Sequence, residues 1–129
     1  MVLCIAKYDL KPISLYSMIA ENTQIQMRKG ILEYCILSII SQGEIYASDI
    51  ISELKKAQLL VVEGTLYPLL NRLRTNGLLS YEWRESTSGP PRKYYTITDA
   101  GLKVLEKLDV TWKELVFAVE ISLQGRAIK

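Results

Sequence analysis

Between Val62 and Ile97 the apolar pattern changes period once, and that change limits the folds open to the chain. Leu66, Leu69, Leu70 and Leu73 fall at i, i+3, i+4 and i+7, one apolar face of a helix. Gly77 follows the last turn, where a glycine commonly closes a helix. From there Leu79, Tyr81 and Trp83 alternate with Ser80, Glu82 and Arg84, the period of a strand. The stretch from Glu85 to Pro91 is a cluster of turn formers and breakers. Arg92 to Ile97, rich in aromatic and β-branched residues, reads as a second strand. A helix followed directly by a hairpin is the expected result.

The upstream sequence supplies more helices. Arg28 to Ser41 is apolar nearly all round, through Ile31, Leu32, Tyr34, Cys35, Ile36, Leu37, Ile39 and Ile40, and predicts a helix buried on most sides. Glu44-Ile45-Tyr46 reads as a short extended link. A second helix is expected from Ala47 or Ser48 to about Lys56, with Ile50, Ile51 and Leu54 inward, and Ala57 to Val61 as the turn before the third. That order is a helix-turn-helix, and the hairpin after it is a wing. Further upstream, residues 1–27 read as an N-terminal extension, helical from about residue 13. Pro12 can open that helix, and Leu15, Met18, Ile19 and Asn22 share one face.

Thr98 is placed to cap a last helix, with Asp99 favourable against its dipole. Leu105, Leu108, Trp112, Leu115 and Val119 recur at spacings of 3, 4, 3 and 4, an a/d-type seam flanked by Leu102, Val116 and Leu123. A three-helix core of this size does not cover so long a helix. An exposed seam requires a partner, and a second copy related by a two-fold axis is the simplest. The predicted fold is therefore mainly α with a small β-hairpin: a winged helix-turn-helix over residues 28–97, closed by a long C-terminal dimerisation helix in 98–129.

The outward face of the third helix carries Thr65, Tyr67, Asn71, Arg72, Arg74 and Thr75. An apolar back with a polar, partly basic front suits a groove of nucleic acid. It equally describes a surface helix with a solvated face. Charge distribution bears on this choice. The chain's net charge is +2. Residues 61–98 hold Arg72, Arg74, Arg84, Arg92 and Lys93 against Glu63, Glu82 and Glu85, while the segments on either side balance to zero. The whole excess thus lies on the third helix and wing, where phosphate contact is expected. Arg92 and Lys93 leave the loop where they can meet phosphate, or serve solubility at an edge strand. Asn71 is a candidate base reader, because a carboxamide pairs bidentately with adenine. Arg72 can bind phosphate or an acidic neighbour. Symmetric dimers of such units read inverted repeats with half-sites about one helical turn apart.

Other classes are disfavoured. The chain has no histidine, the commonest general base and metal ligand, and no phosphate-cradling glycine loop. No enzyme activity, catalytic residue, cofactor or metal is expected. Two cysteines, Cys4 and Cys35, make no disulfide framework. No apolar run reaches the length of a membrane span, and the first residues make a poor signal peptide. A reduced, cytoplasmic protein is expected, with no membrane partner.

Four motifs together carry a resemblance: Gly30-Ile-Leu-Glu33, Glu63-Gly-Thr-Leu-Tyr-Pro-Leu-Leu70, Arg72-Leu73 with Asn76-Gly-Leu-Leu79, and Arg92-Lys-Tyr-Tyr-Thr-Ile-Thr-Asp-Ala-Gly101. In this order and spacing the chain resembles the PadR family of bacterial transcriptional regulators, from about Arg28 to Val119. The resemblance implies a winged-helix homodimer that represses genes by binding operator DNA. It makes Thr65 and Tyr67 recognition-helix contacts and Arg92 and Lys93 the basic residues of the wing. It also implies a role for Trp112, eleven residues past Gly101. In some members a tryptophan at this place stacks a flat ligand against its symmetry mate; packing at the interface is the other reading. Two departures stand out. Tyr46-Ala47-Ser48 replaces the family's usual Gly-Tyr after an aromatic, and residues 1–26 exceed what short members carry. The competing function is a winged-helix module that binds protein rather than DNA, which the weak net charge keeps open.

Overall fold

The computed structural model describes residues 2–126, with side chains from residue 14 onward. Four helices and three short strands follow in the order α1 (Val2–Ser41), β1 (Ile45–Tyr46), α2 (Ala47–Lys56), α3 (Glu63–Thr75), β2 (Leu79–Ser86), β3 (Gly89–Ile97) and α4 (Asp99–Ser122). The chain is mainly α with a small antiparallel sheet, as the change of period predicts. It divides into two compact units, one up to Glu33 and one from Tyr34 on.

The first unit is helical throughout its described length. Leu15, Tyr16, Met18, Ile19, Ile25 and Met27 are exposed on it. The helix expected from about residue 13 and the core helix expected from Arg28 are one element, which begins at Val2. No proline interrupts residues 13–41, and a lone Gly30 costs only about 1 kcal/mol relative to alanine.

The second unit holds the core. Ile36, Leu37 and Ile40 from the end of α1, Ala47, Ile50 and Leu54 of α2, and Leu66, Leu70 and Leu73 of α3 are all buried. Each fully buried leucine or isoleucine contributes about 1.5–3 kcal/mol. Leu69 and Ile51 are only half-buried, at the edges of their faces. Cys35 is also half-buried, less enclosed than its apolar surroundings in sequence imply, and burial pushes its thiol pKa up.

Two helix ends use the same hydrogen-bond closure. After α3, Gly77 N–H donates to Arg74 O and Leu78 N–H to Leu73 O, with Gly77 at φ 79°. After α2, Gln58 N–H donates to Lys55 O and Leu59 N–H to Leu54 O. Here the left-handed position, φ 64°, falls on Gln58 instead of glycine. The glycine that the resemblance leads one to expect at position 47 is not needed by α2, which begins at Ala47. Tyr46 enters the helix in extended backbone, φ −78° and ψ 154°, and its partner on β3 holds it there.

The sheet order is β1-β3-β2. Leu79 pairs with Ile97, Tyr81 with Tyr95 and Trp83 with Lys93, up to a bulge between Arg84 and Ser86. The hairpin is tighter than the breaker cluster implies: Ser86 pairs with Gly89 across Thr87 and Ser88, and Pro90 and Pro91 lie inside β3. Proline is tolerated there because β1 reaches only Tyr94 and Tyr95, which leaves β3 with an open edge.

Thr98 joins hairpin to last helix. Its hydroxyl accepts from Gly101 N–H at 3.0 Å, capping α4, and donates to Gly77 O at 2.6 Å. Its own N–H donates to Leu78 O. Gly101 passes so near Leu78 that no side chain fits.

Candidate nucleic-acid interface

The exposed front of α3 divides into two flanks. Tyr67, Asn71 and Arg74 lie at i, i+4 and i+7 along one flank; Thr65 and Arg72, seven apart, lie along the other. All five are exposed. The first flank turns toward the wing. A cleft of about 490 Å³ there is lined by Tyr67 and Glu63 of α3, Trp83 of β2, Pro91, Arg92 and Lys93 of β3, and Tyr46, Ala47 and Ser48 where α2 begins. Of the six residues singled out for nucleic-acid contact, the fold brings Tyr67, Arg92 and Lys93 to this one cleft. Thr65, Asn71 and Arg72 stand outside its lining, on the helix surface.

The strand pairing sets Arg92 and Lys93 on opposite faces of the sheet. The Arg92 guanidinium lies 5.5 Å above the Tyr46 ring. The Lys93 ammonium lies 4.5 Å from the Tyr81 ring and 5.4 Å from that of Trp83. Aromatic faces attract these cations without neutralising them, and among the described residues neither is ion-paired to a carboxylate. Arg84, which the sequence places in the same basic excess, behaves differently. It sits between Glu44, at 2.7 Å, and Glu82, and stacks 4.1 Å over Tyr94. Hydrogen bonds to those two carboxylates, Glu82 first, raise its pKa. Its charge is consumed within the fold.

Asn71 is also engaged. Its Oδ1 accepts from Arg74 at 3.1 Å, which occupies one of the two acceptor positions of that oxygen. Arg74 lies 5.5 Å over Tyr81, which packs 5.8 Å from Tyr95. Tyr95 is buried, and burial, with Tyr67 and Tyr81 nearby, pushes its hydroxyl pKa up. This aromatic layer supports the wing-side flank of α3. Helices α2 and α3 begin without side-chain caps, at Tyr46 and Val62, which leaves their first N–H groups open to acceptors.

Sequence reasoning missed Trp83 and Tyr46 as members of this surface. The alternation of Trp83 with Leu79 and Tyr81 identifies a strand but gives Trp83 no role, and it is 61% exposed. Only the register, which pairs it with Lys93 near the tip of the wing, places it there, and spacing along the chain carries no signal for that.

Along α4 the seam divides in two. Leu105 is buried and Leu108 half-buried, whereas Trp112, Leu115 and Val119 are about half exposed. Val110, Phe117 and Ile121, on the opposite side by helical spacing, are exposed as well. Within the chain Trp112 meets Tyr34, with ring centroids 6.4 Å apart. One turn earlier Asp109 accepts a 2.6 Å hydrogen bond from the Tyr34 hydroxyl. Among the described residues no group of side chains could hold a metal, and no helix is long and apolar enough to cross a membrane.

Residues 36–107 match the transcriptional regulator PadR-like family. The chain belongs to that family. Its solved relatives agree in fold. A PadR-like transcription factor from Bacteroides fragilis is 58% identical, with a TM-score of 0.66 over 77% of this chain and 96% of its own. A PadR family regulator from Eggerthella lenta, 33% identical, reaches a TM-score of 0.77 over 86% and 97%. Bacillus subtilis PadR, solved in complex with operator DNA, is 28% identical with a TM-score of 0.56, covering 60% of this chain and 46% of that one. In this PadR-like chain, then, α3 is the second helix of the helix-turn-helix and the β2–β3 hairpin is the wing.

Proposed function

We propose that this PadR-like protein is a homodimeric repressor that binds an inverted-repeat operator. The observation that carries the reading is the shared cleft. Tyr67 of α3 and the cations Arg92 and Lys93 of the wing, one from each face of the sheet, line one solvent-open cleft, so a helix in a major groove and a wing on the adjacent backbone can engage one duplex together. The likeness to Bacillus subtilis PadR, solved with operator DNA, supports it. In this reading residues 28–97 bind DNA, with Thr65, Asn71 and Arg72 adding contacts along α3.

Dimerisation belongs to residues 98–129. The half-exposed Trp112, Leu115 and Val119 form an apolar strip that a second α4 would cover. The spacing of the two α3 helices then depends on how the α4 helices cross. A flat apolar ligand stacked between Trp112 and its symmetry mate would regulate binding only by favouring one crossing over another.

Selection of duplexes from a random pool, followed by fluorescence anisotropy, tests the reading. An inverted-repeat consensus is expected, with affinity that falls steeply as salt rises. Tyr67→Ala should weaken that affinity by about 1–3 kcal/mol and leave the dimer mass unchanged. No enrichment, and no binding at micromolar protein, would favour the protein-interaction module instead.

A further inference from the structure

We infer that Trp83 itself touches the duplex, its indole lying against the sugar–phosphate backbone beside the phosphate held by Lys93. This rests on the DNA-binding reading above. Trp83 is 61% exposed although its strand neighbours Leu79 and Tyr81 turn the same face toward α3. An indole is among the most costly side chains to leave in water, and its usual place is an interface.

Its surroundings define the partner. On one side Trp83 lines the cleft with Tyr67, Arg92 and Lys93. On the other it lines a second cleft, of about 480 Å³, with Arg74, Ser80 and Tyr81. The indole thus borders both clefts, one lined by the cation Lys93 and the other by the cation Arg74, and both cations rest on the single ring of Tyr81 beside it. A rod with phosphates at regular intervals and apolar sugar edges between them matches that arrangement: two cations held on Tyr81 and an exposed apolar contact next to them. An acidic protein surface offers no such regular alternation.

Two observables separate contact from mere support of Lys93. The chain has two tryptophans, Trp83 and Trp112. Labelled with fluorotryptophan it therefore gives two fluorine NMR signals, and the one lost in Trp83→Phe belongs to Trp83. Titration with the selected duplex is expected to shift that signal. The second observable is salt dependence. Trp83→Ala should lower affinity roughly tenfold, as expected for losing burial of on the order of 50 Å² of apolar surface. The slope of log K against log salt should not change, because an indole releases no counterions. Lys93→Ala should lower both affinity and slope, the slope by about one. A Trp83 signal that stays put in a complex that anisotropy shows to be formed would overturn the inference. So would a Trp83→Ala slope that falls like that of Lys93→Ala, since the indole would then act only by holding the ammonium. If anisotropy shows no complex at all, the DNA-binding reading fails first and takes this inference with it.

Discussion

A Cβ placed on Gly101 would lie 2.2 Å from the carbonyl oxygen of Leu78 and 2.6 Å from Cγ1 of Ile97. The first turn of α4 is thereby pressed against the backbone that leaves α3. Gly101→Ala must push α4 off the wing, at a cost of about 1–3 kcal/mol. Urea denaturation at fixed protein concentration checks this; a midpoint equal to wild type would mean that the contact yields freely.

Gln58 holds the left-handed position that closes α2, where a side chain costs roughly 1 kcal/mol and glycine almost nothing. Gln58→Gly is expected to stabilise the protein, by less than that full amount, because the unfolded chain also gains freedom. Thermal unfolding of the two proteins in parallel gives the sign.

Tyr34 and Asp109 set a pH limit. The hydrogen bond to Asp109, with burial second, holds the Tyr34 hydroxyl above its ordinary value of about 10. The unfolded chain therefore releases this proton at lower pH than the folded one. The contribution is complete below about pH 10 and is lost as pH rises through the folded value. Tyr95, raised mainly by burial, acts in the same window and direction. Stability measured from pH 8 upward should fall above about 10, and less steeply in Tyr34→Phe.

Arg84 and Lys93 occupy one hairpin but differ in availability. Glu44 and Glu82 already neutralise Arg84. Arg84→Ala should leave the salt slope of DNA binding as it is, against the drop of about one expected for Lys93→Ala. Anisotropy titrations across a range of salt concentrations compare them directly.

Leu115 is half exposed on α4, clear of the contacts that Tyr34 makes with Asp109 and Trp112. A carboxylate there would be buried between two copies. Leu115→Asp is expected to halve the mass seen by light scattering while the helical circular dichroism signal of the subunit persists. An unchanged mass would place the interface elsewhere.

Much of this was legible because it is local. The faces of α2 and α3, the glycine after α3, the threonine cap of α4 and the strand alternation each follow from a few adjacent residues whose backbone preferences agree. The start of α1 is not legible: Pro12 reads as a helix opener, yet the helix begins at Val2 and carries Pro12 inside it. The hairpin is tighter than its sequence implies because Pro90 and Pro91 break strands in general but not at an open edge, and which edge is open depends on how far β1 extends.

Sequence alone determined the order of elements and where the surplus positive charge falls, since periodicity and composition are properties of neighbours along the chain. Which charges remain available, and beside what, was decided by the tertiary fold. Strand register sets Trp83 beside Lys93, and chain crossing brings Glu44 to Arg84 from forty residues away. Coulomb and packing energies depend on distance in space, and no spacing along the chain encodes those meetings.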